Sequence, residues 1–298
     1  MQSLARGWSF LQQAWGMALK DKDLIKPSIY ALLAGFVVSL IGVIPIIGIA
    51  LLVGDSPVGR VIMFVLGAVL IFVNYAVTYI FSAMTVYLIF GYLSEGDGRM
   101  DKAWAVARRD ALDIAGLAAA STAVNLLTSS MRSGRNRQRG GSLVAGLIDT
   151  VWTEAAFLIL PAMVIEDINL PAALKRAGQI TQGNLLLIGV STVGVHTVAG
   201  LVGLVLGLAG AGLGFAAGAG IIALAGSSST TGLVLGIGLG ALIFFLFVMV
   251  ASVINSYTGT AYHTCLYLWA HEAEKAQAAG RSIQKVAAPE PLAAVLSQ

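Results

Sequence analysis

Two acidic side chains inside an apolar run are the first residues of this chain that could do chemistry. Asp149 and Glu154 lie in the stretch 143–165, which contains no other charged residue. A carboxylate near the centre of a bilayer costs about 2.5–3.5 kcal/mol, so it normally faces protein or water. The two acids therefore predict either a proton- or cation-binding position or carboxyl groups that hold helices together through hydrogen bonds. The candidate partners for such bonds are His196, Asn125 and Asn255.

Metal binding and enzymatic chemistry are not indicated. No histidine stands four positions from another histidine or from a carboxylate, the spacing with which one helix presents two metal ligands. The single cysteine, Cys265, excludes a cysteine-clustered metal site. The segment "GLAGAGLGFAAGAG" lies within a long apolar run, whereas a phosphate-binding loop stands between a strand and a helix. The sequence predicts no cofactor, no metal and no enzymatic activity.

The composition is that of a membrane protein. Hydrophobic residues make up 57% of the 298 residues and charged residues only 11%, against about 25% in soluble domains. The small net charge of +3 gives no reason to expect a nucleic-acid partner. Long charge-poor runs predict an all-α polytopic membrane bundle with about six spans. The predicted spans are 28–53, 61–93, 114–130, 143–165, 185–225 and 233–270, within a single membrane domain 1–276 that precedes a cytoplasmic tail 277–298. Whether the run 185–270 forms two, three or four spans stays open.

Three amphipathic segments precede the odd-numbered spans. They cover about 3–20, 100–112 and 170–182, and each has an apolar stripe and a basic face at helical spacing. Such a helix lies in the headgroup plane of a membrane, or it packs on the bundle as a cytoplasmic cap. The order helix, span, span then recurs three times as a weak internal repeat. The predicted interfacial anchors are Trp8, Trp15, Trp104, Lys175, Arg176 and Trp269.

Glycines recur at four-residue spacing in the last two spans. Small residues on one face of a helix allow two helix backbones to approach each other in lipid. Either the fifth and sixth spans pack together through these faces, or the faces join subunits of a homo-oligomer. The glycines concerned are Gly203, Gly207, Gly210, Gly214, Gly218, Gly232, Gly236 and Gly240.

The basic residues predict an orientation. Most of the 18 Lys and Arg residues fall in the amino terminus, the even loops and the tail, so both chain ends are expected in the cytoplasm. The loop "MRSGRNRQRGG" is then outside, where its arginines could bind anionic headgroups, sugars or a periplasmic partner, or form a solvated loop. These arginines are Arg132, Arg135, Arg137 and Arg139.

Three stretches carry a family resemblance: "LARGWSFLQQAWGMALKDKDLIKPSIY", "VWTEAAFLILPAMVIEDINLPAALKRAGQIT" and "AYHTCLYLWA". They resemble an uncharacterised family of bacterial multi-pass membrane proteins, and the second is similar to the membrane domain associated with glycerophosphodiester phosphodiesterases. The resemblance implies six helices in a bacterial cytoplasmic membrane and brings no catalytic residues. Glu154 and the arginine-rich loop depart from the family pattern.

Two functions follow as expectations. The first is a non-enzymatic membrane protein that organises the bilayer or a membrane assembly through helix self-association and lipid contacts. The alternative is an oligomeric pore or a small-solute or ion transporter, with Glu154 and Asp149 as its polar site within the membrane. A water-accessible path past Glu154 would distinguish the two.

The orientation can be tested by cysteine labelling. With both termini cytoplasmic, Ser133→Cys should react with a membrane-impermeant maleimide added to intact cells, and Ser282→Cys should react only after the cells are opened. Labelling of Ser282→Cys from outside would contradict the six-span topology.

Overall fold

The computed structural model describes residues 2–53, 56–132, 141–225, 229–282 and 286–296, and at 2–3, 181–194, 196 and 294–296 it describes the backbone alone. All regular elements in these ranges are helical. A short 3₁₀ helix, Lys22–Leu24, follows the first α-helix. The α-helices are α1 (Gln2–Lys20), α2 (Lys26–Val53), α3 (Pro57–Glu95), α4 (Met100–Arg109), α5 (Ala111–Arg132), α6 (Gly141–Glu166), α7 (Leu170–Ala225), α8 (Thr230–Ala278) and α9 (Glu290–Leu296).

Six of the helices in the described ranges are long and apolar enough to cross a membrane: α2, α3, α5, α6, α7 and α8. The predicted all-α membrane fold is confirmed. Consecutive helices of this set pack as three hairpins, α2–α3, α5–α6 and α7–α8. Ser56 begins α3 by accepting a hydrogen bond from Gly59 N at 3.0 Å, and Ser229 begins α8 in the same way.

The buried core of the molecule lies at one end of the three hairpins, which we call the core end. Here α1, α4 and α9 pack against the last turns of α3, α6 and α8 and the first turns of α5 and α7. Fully buried side chains of this core include Phe10, Leu24, Leu88, Ile114, Ile159, Tyr262 and Leu292. The opposite ends of the hairpins, near Val53, Arg132 and Ala225, are the tips. Large apolar side chains there stay exposed, such as Leu52 at 86% and Leu224 at 91%.

The third amphipathic segment differs from its prediction. The sequence predicts a separate interfacial helix at 170–182, but α7 continues without a break from Leu170 to Ala225. After Pro171 the segment contains no proline, and a single glycine in a helix costs only about 1 kcal/mol, so nothing in it stops the helix. Its 56 residues span roughly 84 Å, against about 30 Å of hydrocarbon. The first turns of α7 therefore belong to the core end.

The apolar stripe of α1 is divided between two environments. Leu11 is buried, and Trp15 donates a hydrogen bond from Nε1 to Thr258 Oγ1 of α8 at 3.2 Å. Tyr257 of α8 in turn donates to the Ala14 carbonyl at 3.0 Å. Trp8 lies on the same predicted stripe, yet it is 47% exposed. One part of α1 thus packs on the end of the bundle, and the other part stays exposed on the surface of the protein.

An aspartate contact recurs in two of the three helix–span–span units. Asp21, just before α2, accepts a hydrogen bond from Gly98 N at 2.8 Å, next to the start of α4. Asp113, in the first turn of α5, accepts one from Leu170 N at 2.8 Å, at the start of α7. In each case an aspartate before or at the start of the first spanning helix of one unit satisfies an unpaired amide at the start of the next amphipathic segment. The predicted repeat therefore has a physical counterpart in these two units.

Glycines form the close contact between α7 and α8. A methyl group placed on Gly218 would lie 2.6 Å from the Gly236 carbonyl oxygen, and one on Gly240 would lie 2.7 Å from the Gly214 carbonyl oxygen. Gly210 and Gly232 also lie at this contact, whereas Gly203 has only ordinary contact and Gly207 has open space around it. Within this chain the faces thus join the fifth and sixth spans, the first of the two alternatives.

Gly218→Leu and Gly236→Leu should destabilise the α7–α8 hairpin, because each side chain would overlap backbone of the other helix. Overpacking of this kind costs about 1–3 kcal/mol. The matched controls are Gly220→Leu on α7 and Gly238→Leu on α8, where a Cβ meets no atom within 4 Å. The measurement is the thermal unfolding midpoint in detergent. Equal midpoints for the two pairs of variants would refute the close contact.

Candidate functional site

One polar site within the spanning helices is a Glu154–His263 pair. The Oε2 atom of Glu154 on α6 lies 3.0 Å from Nε2 of His263 on α8. The His263 side chain is 1% exposed and that of Glu154 is 31% exposed. Phe157 stacks on the imidazole, with ring centroids 4.5 Å apart and planes inclined by 10°. The pair therefore lies at an apolar contact between two helices.

The hydrogen bonds of His263 join α8 to α6. Its Nδ1 lies 2.7 Å from the Gly259 carbonyl oxygen, which can only accept, so Nδ1 carries a hydrogen. Its Nε2 is then available to the carboxyl group of Glu154 on α6. A hydrogen bond between the two groups lowers the cost of holding them in an apolar setting.

Asp149 has a separate environment, near the tip of the α5–α6 hairpin. Its Oδ1 accepts a hydrogen bond from Thr128 Oγ1 at 2.7 Å, and its Oδ2 forms an ion pair with Arg132. The two acids of the sequence prediction therefore have different partners. Arg132, predicted as part of an anion-binding loop, is held by a carboxylate of its own chain. Arg135, Arg137 and Arg139 lie outside the described residues.

The two asparagines predicted as partners of the acids have other surroundings. Asn125 of α5 donates a hydrogen bond to Tyr75 OH of α3 at 3.5 Å. Asn255 is on an exposed face of α8. The side chain of His196 lies outside the described residues. Sequence reasoning missed the Glu154–His263 contact, because 109 residues separate the two side chains.

Several predicted interfacial anchors belong to the core end. Arg176 on α7 contacts Glu166 on α6 at 2.9 Å and Glu274 on α8 at 2.6 Å, so it ties three helices together. Burial lowers the pKa of Arg176, but the hydrogen bonds to Glu166 and Glu274 outweigh this and raise it above its ordinary value. Arg176 is thus a structural ion-pair partner. Lys175, next to it, is exposed.

Of the tryptophans predicted as interfacial anchors, two also belong to the core and two are exposed. Trp269 is buried and Trp15 is hydrogen-bonded to α8, so both serve the core. Trp8 and Trp104 remain 47% and 38% exposed, and the guanidinium of Arg108 lies 5.9 Å from the centre of the Trp104 ring. Among the predicted anchors, Trp8, Trp104 and Lys175 keep the exposure that contact with lipid headgroups requires.

Ser121 is a joint between three helices that the sequence reasoning missed. The hydroxyl of Ser121 on α5 accepts a hydrogen bond from Trp152 Nε1 of α6 at 2.9 Å and lies 2.7 Å from Tyr79 OH of α3. Serine is a common small residue in membrane helices, and only the partners mark this one as a joint.

Comparison of the chain with protein-family models, with curated proteins and with solved structures finds no match. Within the described ranges, no group of three side chains suited to a metal ion lies together.

Glu154→Gln should be tolerated, because a glutamine amide can donate to Nε2 of His263 while Nδ1 keeps its hydrogen. Glu154→Leu should remove a hydrogen-bond partner from a buried imidazole, at a cost of about 1–3 kcal/mol. Thermal unfolding midpoints in detergent report the difference. Glu95→Leu, at an exposed carboxylate near Lys102, is the control for loss of a charge. If the Gln variant lowers the unfolding midpoint as much as the Leu variant does, an uncharged hydrogen bond to His263 is not what holds the pair together.

Proposed function

We propose that this chain is a non-enzymatic integral membrane protein that organises the lipid around it by means of three apolar hairpins anchored in one packed core. Lipids are its principal partners. We further propose that it lies in the bacterial cytoplasmic membrane with both chain ends in the cytoplasm. This location agrees with what the family resemblance of the sequence implies.

The observation that carries the proposal is how little α2, α3 and α8 bury along their membrane-crossing parts. The most apolar 18 residues of α2 contain no buried residue, and the same holds for α3; in α8 the buried share is 6%, against 33%, 28% and 22% in α5, α6 and α7. The faces of α2, α3 and α8 are therefore left for acyl chains, so the chain offers a large surface to lipid.

The polar contacts within the hairpins support the same function. Glu154 is held by His263, and Asp149 is held by Thr128 and Arg132. In the alternative, an oligomeric pore or a small-solute transporter, these carboxylates would line a water-filled path. Their contacts instead join helices of one chain. Six of the eight predicted glycines are in close contact within the chain, which favours lipids over a second copy as the partner.

The charges at the core end support the proposed orientation. The basic residues there include Lys22, Lys26, Arg99, Lys102, Arg108, Arg109, Lys175 and Lys275, whereas Arg60 and Arg132 lie toward the tips. An excess of Lys and Arg beside span ends marks the cytoplasmic side. The exposed Trp8 and Trp104 would then lie at the cytoplasmic headgroup region.

Spin-labelled phospholipid in proteoliposomes tests this function. The exposed apolar faces of α2, α3 and α8 should immobilise more lipid molecules per chain than a compact six-helix protein reconstituted at the same ratio, as read from the motionally restricted component of the electron spin resonance spectrum. The vesicles should also retain entrapped ions. A restricted component no larger than that of the compact control would refute the proposal. Ion flux that Glu154→Gln changes would establish the pore instead.

A further inference from the structure

A cleft between α2, α3 and α8 stands out within the membrane-crossing part of the structure. It has a volume of about 360 Å³, within the size range of small-molecule sites. It extends along α2 from Ser28, which is buried at the core end, to Ser39. Those eleven positions correspond to roughly 17 Å, about half of the hydrocarbon thickness. The cleft thus reaches from the interface toward the middle of the bilayer.

The lining of the cleft is mostly apolar and contains several uncharged polar groups. Its hydroxyl and amide groups come from Ser28, Ser39, Asn74, Thr78, Ser252 and Ser256, and none of the residues that line it carries a charge. The rest of the lining is apolar, including Phe36 and Phe245, whose rings lie 5.3 Å apart. Both phenylalanines are more than 40% exposed, so the cleft opens sideways toward lipid rather than toward water.

The hydrogen bonds within the lining determine what a ligand must offer. Thr78 donates its hydroxyl hydrogen to the Asn74 carbonyl, and Ser252 donates to the Val248 carbonyl, each at 2.8 Å. Each hydroxyl has one hydrogen, so these oxygens are left as acceptors. The Asn74 amide nitrogen donates one of its two hydrogens to the Leu70 carbonyl at 2.9 Å, which leaves the second for a ligand. The lining therefore suits a head that has both a hydroxyl donor and a carbonyl acceptor.

We infer that this cleft binds the uncharged head of an acylglycerol, whose free hydroxyl donates to the Ser and Thr oxygens and whose ester carbonyl accepts from Asn74. Its acyl chains leave between α2 and α8 past Phe36 and Phe245. A charged phospholipid head would lose its hydration at this depth without an opposite charge to compensate. The inference rests on the lipid-contacting function proposed above and names the class of lipid that this one site takes.

Gly35 provides a way to fill the cleft without removing a polar group. A Cβ at Gly35 would lie 3.7 Å from Asn74 Oδ1, an ordinary contact, so a larger side chain there projects into the cleft. Gly48 on the same helix has no atom within 4 Å of its Cβ position, which makes Gly48→Leu the matched control. If Gly35→Leu lowers the unfolding midpoint, Ala31→Leu replaces it as the variant that fills the cleft, because Ala31 also lines the cleft.

The experiment is photo-cross-linking of the full chain in nanodiscs with three lipid probes. The probes are a diacylglycerol, an isoprenoid alcohol and a phosphatidylglycerol, and each has a diazirine at the same position along its acyl or prenyl chain. Labelled peptides are mapped by mass spectrometry. The diacylglycerol probe should label α2 and α8 beside Phe36 and Phe245. Gly35→Leu should reduce this labelling at least tenfold, and Gly48→Leu should leave it unchanged. Asn74→Leu should bring diacylglycerol labelling down to that of the alcohol, which has no carbonyl.

Three results would overturn the inference. They are equal labelling of the cleft by phosphatidylglycerol, equal labelling by the isoprenoid alcohol in the unmodified chain, and equal effects of the leucines at Gly35 and Gly48. The spin-label measurement separates this inference from the proposed function. Immobilised lipid that stays unchanged in Gly35→Leu, together with an unlabelled cleft, would remove the acylglycerol site and leave the function standing.

Discussion

The hydrophobic effect acts on this chain only where water reaches it, and the placement of the core follows from that constraint. Acyl chains are as apolar as leucine, so burying one spanning helix against another within lipid gains little. At the core end, water makes burial favourable, and α1, α4 and α9 bring apolar faces that cover the ends of the spans. Further along, the hairpins hold together by contacts that do not depend on water. The glycine contact of α7 and α8 and the joint at Ser121 are of this kind.

The fold class was predictable from the sequence because charge-free runs of spanning length have few alternatives in a membrane. The amphipathic segments were also predictable, since an apolar stripe at helical spacing can be recognised without knowing which helices it contacts. The continuity of α7 was not, because a polar segment such as "QITQGN" can end a helix or continue it, and the packing of Ala173, Ala177 and Ile180 into the core favours continuation. Local sequence does not contain that tertiary contribution.

The polar contacts were the hardest part to predict. Asp149 and Glu154 were recognised as unusual from their surroundings alone, but their partners depend on packing. The Asp149–Arg132 contact depends on how α5 and α6 pair within one hairpin, and the Glu154–His263 contact depends on how two hairpins meet. The cleft between α2, α3 and α8 escaped notice for another reason. Single serines and threonines are common in membrane helices, where they bond to their own backbone, and only their convergence from three helices distinguishes these.

The contact between α1 and α8 has a consequence for the order of assembly during synthesis. Trp15 and Thr258 are 243 positions apart, and α9, which also packs on α1, leaves the ribosome after α8. The helix α1 is made before the spans, yet its buried face has no partner among them until α7 and α8 have been inserted. Through most of translation that apolar face must be sheltered elsewhere, and the nearest apolar medium is the membrane surface beside the first hairpin. Insertion and core formation are therefore successive events, and a ribosome that stalls before α8 leaves a chain with inserted spans and an unfinished core.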